Sequence, residues 1–197
     1  MKLLISLDYE LYFGSNTGSI EHCLVLPTNA LAEILAPYHT KLSLFVDAGF
    51  LCALKQQGKY NLLLMKQHDQ VARHLDLLAR RGHDIQLHIH PHWEDSFFKN
   101  DKWHIDIKRY RLQDFEAIEQ IDIVNRYKET LQSLTEKPVF SYRAGGWCLQ
   151  PYEQIHHALK QANIWLDSTV YYQGISSDPV RWFDFTQSID KDFWYFS

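Results

Sequence analysis

Cysteine and basic residues are both scarce in the sequence, and each shortage excludes a class of protein. The three cysteines are odd in number and widely spaced, which argues against a disulfide framework and indicates a reducing compartment. The 20 lysines and arginines are outnumbered by 24 acidic residues, giving a formal charge of −4. A protein that binds nucleic acid needs a basic face, so we expect no nucleic-acid partner.

Long apolar runs are lacking as well. No stretch approaches the roughly 18 apolar residues of a membrane-spanning helix. The opening MKLLISLDYE has too short an apolar run for a signal peptide, and it includes an aspartate. We therefore expect a cytoplasmic protein without a membrane span. Its 197 residues, 46% of them hydrophobic, are enough for one domain covering 1–197.

What the sequence does contain is an alternation of short apolar runs with longer helical patterns. We predict strands at 2–8, 41–47, 84–90, 138–143 and 164–168, and helices at 28–36, 114–135 and 150–162, with a further helix that ends at Gly82. Strands that alternate with helices pair in parallel through right-handed crossovers. An α/β fold is therefore expected, and both an open doubly wound sheet and a (β/α) barrel satisfy the pattern.

Ionisable side chains follow all five predicted strands at the point where each strand ends. They are, strand by strand, Asp8 and Glu10, then Asp47, then His88, His90 and His92, then Arg143, and finally Asp167. In parallel α/β folds the carboxyl ends of the strands form the edge at which sites are built. We therefore predict a functional site at this edge.

The third predicted strand lies in HDIQLHIHPHW, which carries four histidines within ten positions. His88 and His92 are four residues apart, and Pro91 between them bends the chain, so the two imidazoles can converge on one ion. A carboxylate from a neighbouring strand would complete a two-histidine, one-carboxylate catalytic metal site. His83 lies at the other end of the strand and is predicted to be structural. The alternative is that the histidines hydrogen-bond within a polar loop.

Four short motifs, in order, resemble those of the polysaccharide deacetylases, the NodB-homology or carbohydrate esterase family 4 group. They are SLDYE, GHDIQLHIHPH, SYRAGGW and LDST, and they extend over about residues 2–170. The resemblance implies a distorted (β/α) barrel of about seven strands. It also implies one divalent metal, zinc by preference, with cobalt and nickel as alternatives.

Residue by residue, the resemblance implies three catalytic groups. Asp8 matches the base, Arg143 matches the residue that orients it, and Asp167 is expected to steady the arginine. The implied metal ligands are Glu10, His88 and His92, and the residues expected to line the site are His90, Asp47, Trp93, Tyr142 and Trp147. Glu10 departs from the family pattern because it is one methylene longer than the usual aspartate and follows Asp8 by two positions.

The fifth motif of the family has no match. It is a leucine-x-histidine that supplies the general acid, and no histidine follows Asp167. The last residues, KDFWYFS, are an apolar run where a barrel strand is expected. We therefore expect a barrel that is incomplete at its C-terminal end and an activity that is low.

The implied function is metal-dependent hydrolysis of an N-acyl, usually acetyl, group on an amino sugar. A cytoplasmic location predicts a nucleotide sugar or lipid-linked saccharide as substrate, in surface-polysaccharide biosynthesis such as that of O-antigen or lipopolysaccharide. A catalytically impaired sugar-binding protein of the same fold is one alternative, favoured by the missing histidine. A binuclear amidohydrolase is the other, but its His-x-His follows the first strand rather than the third.

The segment 93–113 forms an aromatic-rich insertion after the third predicted strand. Aromatic rings offer apolar faces with polar tips. The segment is therefore either a flap packed on the barrel or a platform for sugar rings, and the sequence leaves both open.

Overall fold

Five short strands pair in parallel at the centre of the structure, a computed structural model that describes residues 3–13 and 16–195. In chain order the strands are β1 (Ile5–Tyr9), β2 (Leu42–Asp47), β3 (Asp84–Ile89), β4 (Phe97–Lys99), β5 (Lys102–His104), β6 (Ser141–Ala144), β7 (Leu166–Asp167), β8 (Ile175–Ser176) and β9 (Phe183–Asp184). The central sheet has the order β1-β2-β3-β6-β7, while β4 pairs with β5 and β8 pairs with β9.

Helices connect the central strands. They are α1 (Leu26–Leu35), α2 (Ala48–Gly58), α3 (Leu62–Arg80), α4 (Ala117–Gln132) and α5 (His156–Gln161). A π-helical turn spans Glu21–Val25, and 3₁₀ turns span Ala36–Tyr38, Pro91–Glu94, Leu112–Asp114, Gly145–Trp147 and Tyr152–Gln154. Among residues 3–13 and 16–195, no helix is both long and apolar enough to cross a membrane.

The predicted α/β class and its parallel sheet are confirmed, since each predicted strand overlaps one strand of the central sheet. The first predicted strand begins at Lys2, which lies outside the described residues. The sequence does not predict α2. Four consecutive residues of this helix, 48–51, are all buried, and this burial removes the polar stripe by which a surface helix is identified.

The strand register sorts the side chains onto two faces of the sheet. Tyr9, Val46, Leu87, Tyr142 and Asp167 are aligned across the five strands and share one face. Neighbouring residues along a strand point to the opposite face. A residue one position away from this row therefore belongs to the other face.

The other face, which we call the site face, includes Asp8, Asp47, His88 and Arg143. In a flat sheet, three strand spacings of about 4.8 Å would put β1 and β6 about 14 Å apart. Arg143 of β6 nevertheless reaches Asp8 of β1, with 2.6 Å between Nη1 and Oδ1, and its guanidinium lies 3.9 Å from the Phe45 ring centroid of β2. The sheet is therefore curved, with the site face concave.

The aromatic-rich segment packs against α2. The Trp93 and Trp103 ring centroids lie 5.0 Å apart, and both rings contact Phe50. β4 and β5 form a hairpin whose two turn residues both have positive φ, as a type I′ turn requires. Trp93 and Trp103 therefore pack on the domain, as in the first of the two predicted roles for the segment.

Between β7 and residue 195, where the described chain ends, the strands are those of the small β8–β9 hairpin, and Phe183 and Phe185 are buried there. Residues 191–195, where a barrel strand is predicted, form turns and irregular chain, and 196–197 lie outside the described residues. The described residues thus form five parallel strands rather than about seven.

A buried histidine connects the end of β1 to α3. Nε2 of His74 donates to Oδ1 of Asn29 at 3.1 Å, since an amide oxygen can only accept. Nδ1 of His74 is then the acceptor for the Tyr9 hydroxyl at 2.8 Å. Because Tyr9 lies between Asp8 and Glu10, this chain of hydrogen bonds fixes the backbone of both acidic residues.

Replacing His74 by leucine should cost less stability in acid than at neutral pH. Burial holds the pKa of His74 below its ordinary value of 6.5, so neutral His74 contributes stability fully above that pH. The contribution is lost as the pH falls below it, while leucine does not titrate. We expect His74→Leu to lower the free energy of unfolding by about 1–3 kcal/mol at about pH 8, and by less at about pH 5.5, in urea titrations.

Val71→Ala is the control for this comparison, because Val71 is also buried in α3 and carries no titratable group. Its cost should be equal at the two pH values. An equal cost of His74→Leu at both pH values would contradict the assignment of a neutral, hydrogen-bonded His74.

Candidate metal centre

Three donor atoms meet at the carboxyl ends of β1 and β3. Glu10 directly follows β1, and its Oε2 lies 3.1 Å from Nε2 of His88 and 2.8 Å from Nε2 of His90. The ligand atoms of the three residues all lie within 4.8 Å of one another. His88 and His90 face the same side because they are two residues apart on an extended chain. We call Glu10, His88 and His90 the donor group.

A backbone contact fixes which nitrogen of His88 faces the carboxylate. Nδ1 of His88 donates to the carbonyl oxygen of Arg143 at 2.9 Å. In neutral imidazole, Nε2 then carries only a lone pair, and it faces an acceptor, Oε2 of Glu10. Two acceptors this close need a cation between them, either a proton on His88 or a metal ion. Metal-binding histidines commonly donate their other N–H to a carbonyl in this way.

The charges of the donor group support a cation at this position. Burial would raise the pKa of Glu10, but hydrogen bonds from His88 and His90 lower it well below its usual range. Burial would lower the pKa of His88, but the Glu10 carboxylate raises it above its ordinary value. A divalent metal would take the place of the His88 proton and release it to solvent.

The donor group contains His90 in place of His92, which was the predicted metal ligand. His90, predicted only to line the site, supplies the third donor atom, whereas the His92 ring lies beyond it, 5.4 Å away between centroids. The cause is local, because Pro91 begins a 3₁₀ turn that carries His92 off the strand face shared by His88 and His90. Burial lowers the pKa of His92 to about 2, so this imidazole is neutral.

A turn of two glycines after β6 closes one side of the donor group. A Cβ on Gly145 would collide with Nδ1 of His90, and a Cβ on Gly146 would lie 2.7 Å from the Tyr110 hydroxyl oxygen. Gly146 also has a φ of +57°, a conformation that favours glycine. Trp147, predicted to line the site, follows at the edge of this turn with 47% of its surface exposed.

Asp8 and Arg143 form an ion pair on the same concave face. Nη1 of Arg143 donates to Oδ1 of Asp8 at 2.6 Å. Nη2 donates to the hydroxyls of Ser6 and Ser168, both at 2.9 Å, and Nε donates to the Ser168 carbonyl. The two serines are not among the predicted site residues, although Ser6 is two residues before Asp8 and so shares its face. The guanidinium is thus fixed from both edges of the sheet.

Two predicted site residues lie on the opposite face. Tyr142 and Asp167 are partners in the register, and both are one position away from the site face. Asp167 was expected to steady Arg143, but its carboxylate accepts from the amide and hydroxyl of Thr169, whose Oγ1 accepts from the amide of Ala144. Through Thr169, Asp167 therefore holds the backbone at the last residue of β6. Tyr142 is buried in the core rather than lining the site.

Aromatic rings enclose the histidines and a neighbouring carboxylate. Nε1 of Trp93 donates to Oδ2 of Asp47 at 2.6 Å, and burial raises the pKa of Asp47 to about 6. Trp93 is itself buried, so a sugar cannot stack on it. Phe13, which the sequence does not single out, lies over the histidines, with centroid distances of 4.5 Å to His90 and 5.0 Å to His92.

The donors fit a divalent transition metal. Two imidazole nitrogens and one carboxylate oxygen are ligands of catalytic zinc sites, which keep a further position open. Several buried polar atoms beside the group have no hydrogen-bond partner among residues 3–13 and 16–195; they are Oδ1 of Asp47, Nδ1 of His90 and both ring nitrogens of His92. Such atoms are rare in folded proteins, and a bound cation can supply the missing partner of the Asp47 oxygen, which can only accept.

Comparisons of the chain with protein-family models, with curated proteins and with solved structures find no match. The geometry of the donor group and of the Asp8–Arg143 pair therefore carries the functional argument. The motif resemblance stands beside that geometry as an expectation.

Alanine at position 90 should weaken metal binding far more than alanine at position 92. Outer residues of metal sites typically contribute 10–100-fold to affinity, and a direct ligand contributes more. We expect His90→Ala to raise the zinc dissociation constant by more than about 100-fold, in competition with a chelating indicator. His92→Ala should raise it by less than about 10-fold, because the His92 ring nitrogens form no hydrogen bond to the three donors. The reverse order would restore the predicted His88–His92 pair and contradict the donor group of Glu10, His88 and His90.

Proposed function

We propose that the protein is a metal-dependent hydrolase that removes an N-acyl group, such as acetyl, from an amino sugar. The observation that carries the proposal is that the Asp8–Arg143 ion pair lies on the same concave face as Glu10, His88 and His90. An oriented carboxylate beside a metal-binding group is suited to amide hydrolysis. The four motifs that resemble those of the polysaccharide deacetylases support the same reaction class.

In this proposal Asp8 is the general base. Its side chain is 35% exposed, so water can reach it, and it accepts the proton of the water that attacks the acyl carbon. Arg143 orients the carboxylate through Oδ1 and is itself held by Ser6 and Ser168. The reaction adds water across the C–N bond, giving acetate and a free amine.

Glu10, His88 and His90 hold a divalent metal, zinc by preference, with cobalt or nickel as alternatives. When bound, the metal polarises the acyl carbonyl and acidifies water. The Arg143 carbonyl keeps His88 in the tautomer whose Nε2 is free to bind it. His92 and Phe13 limit the approach of water from above the imidazoles.

For the substrate we propose an acetylated amino sugar, carried on a nucleotide or on a lipid-linked saccharide in surface-polysaccharide biosynthesis. The half-exposed Trp147 at the edge of the glycine turn offers an aromatic face for a sugar ring. For the fold we propose that the five-stranded sheet belongs to a distorted (β/α) barrel, since the curvature that lets Arg143 reach Asp8 has the sense of a barrel wall.

A sugar-binding protein of the same fold without catalysis is the second candidate. The observation in its favour is that residues 168–197 contain no histidine to protonate the leaving amine. It predicts binding of the acetylated sugar and of the metal without release of acetate.

Asp8→Asn should remove activity but leave the metal in place, because Asp8 is outside the donor group. We expect the rate of acetate release from UDP-N-acetylglucosamine or diacetylchitobiose to fall by about 10²–10⁴-fold, the typical contribution of a general base. Metal content, measured by elemental analysis, should remain at one equivalent. Asp76→Asn, which removes an exposed carboxylate from α3, is the control and should change neither quantity.

Full activity of Asp8→Asn would contradict the role of Asp8. If the wild-type protein binds metal and these sugars but releases no acetate, the second candidate replaces the first. If it binds no metal, both the donor group and the proposed reaction are wrong.

A further inference from the structure

Asp47 occupies a helix-capping position without capping the helix. It is the N-cap residue of α2, where an aspartate normally accepts a hydrogen bond from an amide of the first helical turn. Its carboxylate makes no such bond to the described helix. The side chain is therefore used for something else.

The two oxygens of this carboxylate have different surroundings. Oδ2 accepts from the Trp93 indole at 2.6 Å. Oδ1 is buried and has no hydrogen-bond partner in the described part of the chain, and the residue as a whole is only 3% exposed. A buried carboxylate oxygen without a partner is unfavourable, and a bound cation would satisfy it.

The register places this oxygen beside the donor group. Asp47 is paired directly with His88 across β2 and β3, so their Cα atoms are about 4.8 Å apart and their side chains share the site face. Tyr9 pairs with Val46, so Glu10 comes next to Asp47 on the other side. Asp47 thus lies between Glu10 and His88 in one row.

We propose that Asp47 is a fourth metal ligand, which binds through Oδ1 while Trp93 holds Oδ2. The assignment rests on the metal site of the proposed function and extends it to two imidazoles and two carboxylates, so that the open position the reaction needs becomes a fifth one. Asp47 is not one of the residues whose ligand atoms all lie within 4.8 Å of one another, so its Oδ1 has to move toward the ion when it binds. Two carboxylates neutralise a divalent charge, and this mixed nitrogen and oxygen set suits zinc, iron, cobalt or nickel.

The test introduces a cysteine at each of two adjacent positions of β2 and uses cobalt as the probe. A thiolate bound to Co²⁺ gives an intense near-ultraviolet charge-transfer band, so Asp47→Cys reports direct coordination at this position. Val46→Cys is the matched control, because Val46 is the adjacent buried residue and faces the other side of the sheet. The wild-type protein, which keeps its three cysteines, supplies the baseline spectrum.

Asp47→Asn provides a second measurement in a variant that retains the shape of the side chain and the acceptor for Trp93. We expect cobalt binding to weaken by at least about 10-fold and the visible ligand-field spectrum to change. Circular dichroism of the metal-free variants, compared with the wild type, establishes that each is folded.

The charge-transfer band in Asp47→Cys, absent in Val46→Cys, would support the assignment, as would an altered ligand-field spectrum in Asp47→Asn. No band together with an unchanged Asp47→Asn spectrum would overturn it and leave the metal site of Glu10, His88 and His90 intact. A wild-type protein that binds no cobalt would overturn both this assignment and the proposed function.

Discussion

The arginine that crosses the concave face of the sheet organises the site. Arg143 leaves β6, passes over Phe45 of β2 and ends on Asp8 of β1, so one side chain connects strands that a flat sheet would keep far apart. Its backbone carbonyl meanwhile accepts from Nδ1 of His88. The same residue thus orients the proposed base by its side chain and, by its main chain, an imidazole of the candidate metal centre.

The second constraint is that two imidazole nitrogens and one carboxylate oxygen share a buried space. Nε2 of His88 and Nε2 of His90 both face Oε2 of Glu10, and the tautomer of His88 makes this arrangement repulsive unless a cation is present. A proton on His88 can meet this need, while neutral His90 can donate to Glu10 from its own Nε2. A divalent ion would bind both imidazoles through Nε2 and return the His88 proton to solvent.

Much of this arrangement can be read from the sequence, because it depends on strand order and on where strands end. Parallel pairing brings Asp8, Glu10, Asp47, His88 and Arg143 to one edge of the sheet, and all five are visible as polar residues after apolar runs. The chemistry of a metal site beside a carboxylate–arginine pair follows from those residue types.

What the sequence does not determine is which way each side chain points. The choice between His90 and His92 depends on where β3 gives way to the Pro91 turn, and the choice between Arg143 and Tyr142 depends on register to a single residue. Asp167 was also predicted to lie at the site because it follows an apolar run, but the register puts it on the opposite face. Helix α2, buried on several sides, leaves no periodic pattern to detect.

The most direct test of the metal centre is to locate the ion itself, by anomalous scattering at the zinc edge from crystals grown with zinc. We predict a single peak on the concave face, about 2.0–2.2 Å from a carboxylate oxygen of Glu10 and from Nε2 of both His88 and His90. No peak at this position, or a peak bound by His92 with His90 outside the coordination shell, would contradict the assignment.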